Sequence, residues 1–170
     1  RMGLDLPKQY LHLADVPILV HTVRALQRSS FIKTIIIVAP AEHLEQTRAL
    51  VREFDLTLVD QVVSGGRTRQ ESVWAGLQSV PAGIDLVVVH DGVRPLVDPE
   101  LVDACVLRAA ATGAAMLAIP VKDTLKAVTD DVVGATVDRQ GLWQAQTPQV
   151  ARVELLKEAF AAAARDGFEG

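Results

Sequence analysis

One segment, Leu86-Val87-Val88-Val89-His90-Asp91-Gly92-Val93-Arg94-Pro95, constrains the fold of this chain more than any other. Four apolar residues, three of them β-branched, lead into a carboxylate, a glycine and an arginine. A run of that kind reads as a strand buried on both faces, which favours a parallel sheet flanked by helices. Ligands of open α/β sheets bind beyond the carboxyl ends of the strands, so Asp91 and Arg94 stand at a candidate site. An acid and a base so spaced suit a metal ion and a phosphate. They suit a solvated turn salt bridge equally well.

The rest of the chain repeats the strand-helix alternation. Strand-like runs occur at Thr34 to Val38, Leu56 to Val59, Leu86 to His90 and Met116 to Val121, with helix-like stretches between them. That order is the signature of βαβ units and of an α/β fold with a Rossmann-like, mainly parallel sheet. Pro17 suits the first turn of a helix whose Leu19, Val20, Val23 and Leu26 share one face. Asp98-Pro99-Glu100 supplies an N-cap, a first-turn proline and a favourable charge, and Gly113 ends that helix. A last helix spans about Arg152 to Arg165. Residues 122 to 139 break the alternation: two extended pieces around Thr129-Asp130-Asp131 predict a protruding β-hairpin arm. A lone hairpin is marginal in water, so the arm needs a support, and a partner subunit would provide one.

Bulk properties narrow the function. The 170 residues, 49% of them hydrophobic, fit one globular domain with a real core. No apolar run approaches the ~20 residues of a membrane helix, and no secretory signal is visible. The single cysteine, Cys105, excludes an internal disulfide and reads as a buried structural thiol, which suits a reducing cytoplasm. A net charge of −4 and an aromatic content of 4% argue against nucleic-acid binding. Small anions remain acceptable ligands, because a local cationic cluster can focus potential in an acidic protein.

Several segments could carry chemistry. Ser64-Gly65-Gly66-Arg67-Thr68-Arg69-Gln70-Glu71-Ser72 joins a strand to a helix, and Thr68 with Glu71 has capping-box spacing, so the helix should begin near Arg69. Its glycines let backbone amides approach a ligand, although a plain tight turn needs the same residues. It is neither a Walker loop nor a GxGxxG fingerprint. Lys8, Lys126 and Arg139 are ordinary solvated charges when taken singly. The four histidines, His12, His21, His43 and His90, show no metal-ligand pairing, and no nucleophile elbow is present.

Taken together and in order, the motifs are specific. Arg1-Met2-Gly3, Pro7-Lys8-Gln9-Tyr10-Leu11, Gly65-Gly66-x-x-Arg69-x-x-Ser72-Val73, Val89-His90-Asp91 through Arg94-Pro95, Pro120-Val121-Lys122-Asp123-Thr124 and Leu142-Trp143 through Thr147-Pro148-Gln149 form a series. It resembles the 2-C-methyl-D-erythritol 4-phosphate cytidylyltransferases of non-mevalonate isoprenoid synthesis, over nearly the whole chain. The resemblance implies a cytoplasmic homodimer joined through the arm. It further implies the joining of CTP to methylerythritol phosphate, with release of pyrophosphate and Mg²⁺ or another hard divalent cation as cofactor.

By the same resemblance Arg1 and Lys8 are the catalytic cations at the phosphates, Gly66 and Ser72 recognise cytosine and ribose, and Asp91 binds the metal beside the nucleotide. Arg94 and Thr147 are expected to contact the methylerythritol phosphate. Thr124 and Arg139, on the arm, are expected to reach the same substrate from the neighbouring subunit. The expected domain is a single unit over 1–170 with its arm at about 122–139. A glycine-rich opening segment before Arg1 and a closing portion after Gly170, both present in the family, are expected to be missing. A ribitol 5-phosphate or related polyol-phosphate cytidylyltransferase is the near alternative. A non-catalytic nucleotide-binding module and a sugar nucleotidyltransferase using another base are the more distant ones.

Overall fold

The computed structural model describes residues 7–168. A 3₁₀ turn at Lys8–Tyr10 leads into β1 (His12–Leu13) and β2 (Val16–Pro17), an antiparallel pair. Its two-residue connection, Ala14-Asp15, has positive φ at both positions, which matches the twist of a tight hairpin. Then follow α1 (Ile18–Gln27), β3 (Ile35–Ala39), α2 (Leu44–Glu53), β4 (Val59–Ser64), α3 (Arg69–Gln78), β5 (Leu86–Val89) and α4 (Pro99–Thr112). Next come β6 (Ala114–Pro120), β7 (Leu125–Thr129), β8 (Val132–Val137), β9 (Trp143–Arg152) and α5 (Val153–Arg165).

The α/β class holds, but a single, mainly parallel sheet does not describe the strand pairing. Among the described residues only β3 and β4 pair in parallel; β9 lies between β5 and β6 and runs antiparallel to both. Two strands antiparallel to the same neighbour are parallel to each other. So β5-α4-β6 is a true βαβ crossover into which β9 has inserted. The alternation signals the crossover and gives no hint of the insertion. Leu86–Val89 is correspondingly half-buried, at the edge of its sheet, and not buried on both faces. Among the described residues no ladder joins β3 to β5. A cavity of about 420 Å³ lies there, with Ile36 and Val38 from one strand and Val87 and Val89 from the other in its lining.

Two apolar clusters hold the layers. Tyr10, Leu19, Val20, Val23, Ile37 and Leu56 pack the first turn and α1 against β3, while Val102, Cys105, Val106, Ala109 and Val150 pack α4 against β9. Cys105 is buried as expected, and burial pushes its thiol pKa up, away from nucleophilic use. The α4 signals behave as read, with Asp98 Oδ1 accepting the Glu100 N–H at 2.9 Å and the helix ending at Gly113 with φ of 93°, whereas Pro17 precedes α1 as its extended N-cap and is not in its first turn. β4 begins where the expected strand ended, because Leu56 to Val59 form a turn in which the Val59 N–H bonds the Leu56 carbonyl at 3.0 Å, and Asp60 bulges out between the Ile35–Val59 and Ile36–Gln61 pairings. No helix among the described residues is long and apolar enough to cross a membrane.

Candidate active site

β5 delivers its last residues into a compact turn. The Arg94 N–H bonds the Asp91 carbonyl at 3.1 Å, and His90 Nε2 lies 3.3 Å from the Arg94 carbonyl. From α1, the buried Thr22 hydroxyl donates to the Gly92 carbonyl at 3.0 Å. The turn is thereby fixed from beneath, and Asp91 projects from it. Burial favours the neutral imidazole of His90 and outweighs the opposing bond to Arg94 and the charge of Asp91, so its pKa is lowered.

Asp91 is the centre of the site. Its Oδ2 accepts from Arg94 Nε at 2.8 Å, and its Oδ1 faces Arg69 Nη2, at the start of α3, at 3.4 Å. Arg94 is itself anchored, since its Nη1 donates to Gln146 Oε1 at 2.8 Å. Thr147 completes the ring: its hydroxyl accepts the Asp91 N–H at 3.4 Å. Partial burial raises the Asp91 carboxyl, but the hydrogen bonds and charges of Arg94 and Arg69 outweigh it and hold the group below the usual carboxylate range. The carboxylate is ionised and oriented at neutral pH.

The glycine-rich turn beside it is built as the capping spacing predicts, with one difference. Thr68 Oγ1 accepts the Glu71 N–H at 3.0 Å, whereas the Glu71 carboxylate reaches past the cap to the Arg67 N–H at 2.6 Å. Ser72 Oγ accepts the Gly66 N–H at 3.2 Å and donates to the Thr68 carbonyl at 2.9 Å. The turn is so closely packed that a Cβ on Gly66 would sit 2.3 Å from Glu71 Cβ, and one on Gly65 would sit 2.7 Å from Ser72 Oγ. Glycine is required here by close approach, not by positive φ. Arg69, Ser72 and Gly76 share one face of α3 and, with Asp91, belong to the lining of the cavity between β3 and β5.

Seven of the nine expected residues therefore fall into three groups. Gly66 and Ser72 form the turn, while Asp91, Arg94 and Thr147 form the carboxylate cluster next to it. Thr147 is only 8% exposed, so its hydroxyl is spent on the Asp91 backbone. Thr124 and Arg139 lie together at the base of the β7–β8 hairpin, where the Arg139 guanidinium donates to the Lys122 carbonyl. Lys8 is exposed on the 3₁₀ turn, and among the described residues no hydrogen bond or ion pair joins it to the Asp91 cluster. Arg1 lies outside the described residues.

Sequence reading missed Gln146 and Thr22, and found Arg69 only as a motif position. β9 was missed with them, because Pro148 and the irregular run of polar residues around it disguise a strand. Its ladder to β6 skips between Met116 and Ala118, and Gln146, Thr147 and Pro148 sit in that gap. A proline without an N–H is tolerated at such a bulge. The same irregularity frees Gln146 and Thr147 to face the β5 turn.

Known proteins share this sequence and this fold. A family model described as 2-C-methyl-D-erythritol 4-phosphate cytidylyltransferase matches residues 1–170. The enzyme of that name from Syntrophotalea carbinolica is 43% identical over 172 residues, covering 100% of this chain and 74% of its own. A bifunctional enzyme IspD/IspF from Desulfotalea psychrophila is 52% identical over 160 residues; that match takes in 94% of this chain and 41% of the longer protein. Among solved structures, the 4-diphosphocytidyl-2C-methyl-D-erythritol synthase of Anaerococcus prevotii superposes with a TM-score of 0.85 at 26% identity, covering 97% of this chain and 72% of that one. The 2-C-methyl-D-erythritol 4-phosphate cytidylyltransferase of Thermus thermophilus gives 0.79 at 32% identity, over 96% and 74%. With family model, relatives and fold in agreement, this chain belongs to the 2-C-methyl-D-erythritol 4-phosphate cytidylyltransferase family.

Proposed function

We propose that this protein transfers the cytidylyl group of CTP to 2-C-methyl-D-erythritol 4-phosphate, giving 4-diphosphocytidyl-2-C-methyl-D-erythritol and pyrophosphate. The observation that carries the reading is the ionised Asp91, clasped by Arg94 from its own turn and Arg69 from the glycine-rich loop. A phosphate oxygen of the acceptor attacks the α-phosphorus of CTP in line, and the bond to the β-phosphate oxygen breaks as pyrophosphate leaves. No protein nucleophile is needed, because the attacking phosphate is already an anion. The protein supplies position and charge neutralisation.

Each element has a part in that chemistry. The Gly66–Ser72 turn presents fixed backbone groups to cytosine and ribose, and the Ser72 hydroxyl keeps one lone pair after accepting from Gly66. A rigid polar loop discriminates against other bases by leaving its groups unpaired. Arg94, braced by Gln146, meets the acceptor phosphate, while Thr147 holds the Asp91 backbone in place. Lys8 and Arg1 are the cations for the triphosphate by family resemblance. Among the described residues no group of three or more ligating side chains could cage a metal ion. The lone carboxylate of Asp91 still fits Mg²⁺, which keeps waters and takes its other oxygens from substrate phosphates. A hard divalent cation held there would neutralise phosphate charge as pyrophosphate departs.

The hairpin extends the reading to a homodimer. Val128, Val132, Val133 and Val137 are all large apolar side chains left exposed on β7 and β8. Coverage by a second copy would bury them and carry Thr124 and Arg139 toward the partner's acceptor phosphate, for which a guanidinium is well shaped. The substrates and the single buried thiol suit the cytoplasm. The direct test incubates the protein with CTP, Mg²⁺ and methylerythritol phosphate, and follows pyrophosphate release and product mass. Ribitol 5-phosphate and UTP serve as competitors. Turnover with ribitol 5-phosphate but not methylerythritol phosphate would overturn the acceptor assignment, and preference for UTP would overturn the base assignment.

A further inference from the structure

We infer that Arg69 is a positioning residue for the transfer reaction, tying the loop that reads the nucleotide to the carboxylate that serves its phosphates. The inference rests on the function proposed above and adds a residue to it. Asp91 is gripped unequally: Arg94 approaches Oδ2 at 2.8 Å, while Arg69 stands 3.4 Å from Oδ1. Arg94 leaves the same turn as Asp91 and is braced by Gln146, so it fixes that carboxylate within the β5 turn. Arg69 comes from a different element. It directly follows Thr68, the α3 N-cap, and stands three residues from both Gly66 and Ser72.

The loop around Arg69 is rigid. Glu71 ties down Arg67, and Ser72 ties Gly66 to Thr68. Arg69 lies inside the Gly66–Ser72 segment, so a displacement of that turn on meeting a nucleotide carries the Arg69 guanidinium with it and acts directly on Asp91 Oδ1. The longer contact is the one that can adjust. Oδ1 is also the oxygen on the loop side, so Arg69 sets which way the second carboxylate oxygen points when nucleotide is bound. Arg67, two residues away, provides the contrast: its side chain is 93% exposed and, among the described residues, it pairs with Glu71 at 3.7 Å and not with Asp91. Charge near the loop is common to both residues, and contact with Asp91 belongs to Arg69 alone.

The test is a double-mutant cycle on the full protein with Arg69→Gln, Asp91→Asn and the pair, with Arg67→Gln as a charge-matched control. CTP binding by calorimetry without acceptor, steady-state kinetics and thermal melting are measured for each. Arg69→Gln is expected to lower kcat/KM and weaken CTP binding by about 10–100-fold, in line with loss of a charge-assisted contact. In the Asp91→Asn background the same change should cost less than about twofold. Arg69→Lys should recover only part of the loss, because an ammonium lacks the guanidinium fork. Effects that multiply across the cycle would overturn the inference, showing that Arg69 acts on the substrate by itself. So would an Arg67→Gln loss equal to that of Arg69→Gln, or a fall in melting temperature that accounts for the loss. A full-strength Asp91→Asn enzyme would instead overturn the role given to the carboxylate.

Discussion

The turn after β5 and the β7–β8 hairpin are both polar-tipped excursions from the sheet, yet they are held in opposite ways. Around Asp91, groups from α1, α3 and β9 converge and bond to it, to Gly92 and to Arg94, while the buried His90 Nδ1 beside it has no partner among the described residues. The hairpin has its own ladder and little else: every residue of β8 is exposed, as are four of the five in β7. Its reversal is made by Asp130-Asp131 at positive φ, a tight two-residue turn that fixes register without tertiary help. Two strands alone barely stand in water. The Asp91 turn is therefore finished from within its own chain, whereas the hairpin is left exposed, and under the proposed function a second copy would cover it.

Substitution at the finished site has the largest expected effect. Asp91→Asn keeps the shape but leaves Arg94 and Arg69 facing a neutral amide and removes the charge offered to a cation. A loss of kcat on the order of 10²–10³ is expected, by analogy with a lost electrostatic stabiliser. Steady-state kinetics beside an unchanged melting profile would check it; retention of wild-type turnover would remove Asp91 from the chemistry.

Arg139→Ala comes next. A charge-assisted bond to phosphate is worth about 1.5–3 kcal/mol, so kcat/KM for the acceptor should fall about 10–100-fold with the KM for CTP unmoved. The contrast between site and hairpin is sharpest when the two variants are mixed. If each hairpin serves its partner's site, a heterodimer of Asp91→Asn and Arg139→Ala chains carries one wild-type site, and an equal mixture regains about a quarter of full activity. If the hairpin serves its own chain, mixing restores nothing.

Gly66→Ala is expected to do less. Its Cβ would meet Glu71 Cβ at 2.3 Å, so the backbone of the nucleotide turn must move. Displacements of this kind away from the reacting atoms are costly, and a rise of about tenfold in the KM for CTP is expected, with the KM for the acceptor little changed. An equal change in both would show that the turn is not dedicated to the nucleotide.

What the sequence made legible follows the range of its signals. Thr68 with Glu71 and Asp98 with Glu100 are contacts within one helical turn, and both caps form as read. The hairpin is equally local. The insertion of β9 between β5 and β6 is set by pairing partners that lie from 23 to 66 residues apart, and no periodicity in Trp143–Arg152 announces it. Asp91 and Arg94 were found because their spacing places both in one turn. Gln146, which braces Arg94 from β9, was missed because its role exists only after that insertion. Arg69 was visible as a motif position, but its contact with Asp91 needed the third dimension. Chemistry carried by neighbours in sequence was readable, and chemistry assembled across the sheet was not.

The smallest expected effect lies beneath the site, in the scaffold that keeps it finished. Asp103, on α4, accepts the Ser29 hydroxyl at 2.5 Å and the Ser30 N–H at 3.2 Å, so it pins the end of α1 to α4. The Ser29 hydrogen bond is the main influence on this carboxyl and, with the neighbouring backbone donors, holds its pKa below the ordinary value. A carboxylate with a depressed folded pKa contributes stability that is fully present above its unfolded value of about 3.9 and disappears as pH falls through the folded value. Asp103→Asn should therefore lower the melting temperature slightly at pH 7, with kinetics unchanged. The gap between variant and wild type should narrow steadily as the pH is taken below about 4. A gap that stays constant with pH would mean that Asp103 acts through packing and not through its charge. A change in kcat would mean that the α1–α4 tie reaches the Asp91 turn through Thr22, making the site less self-contained than its hydrogen bonds indicate.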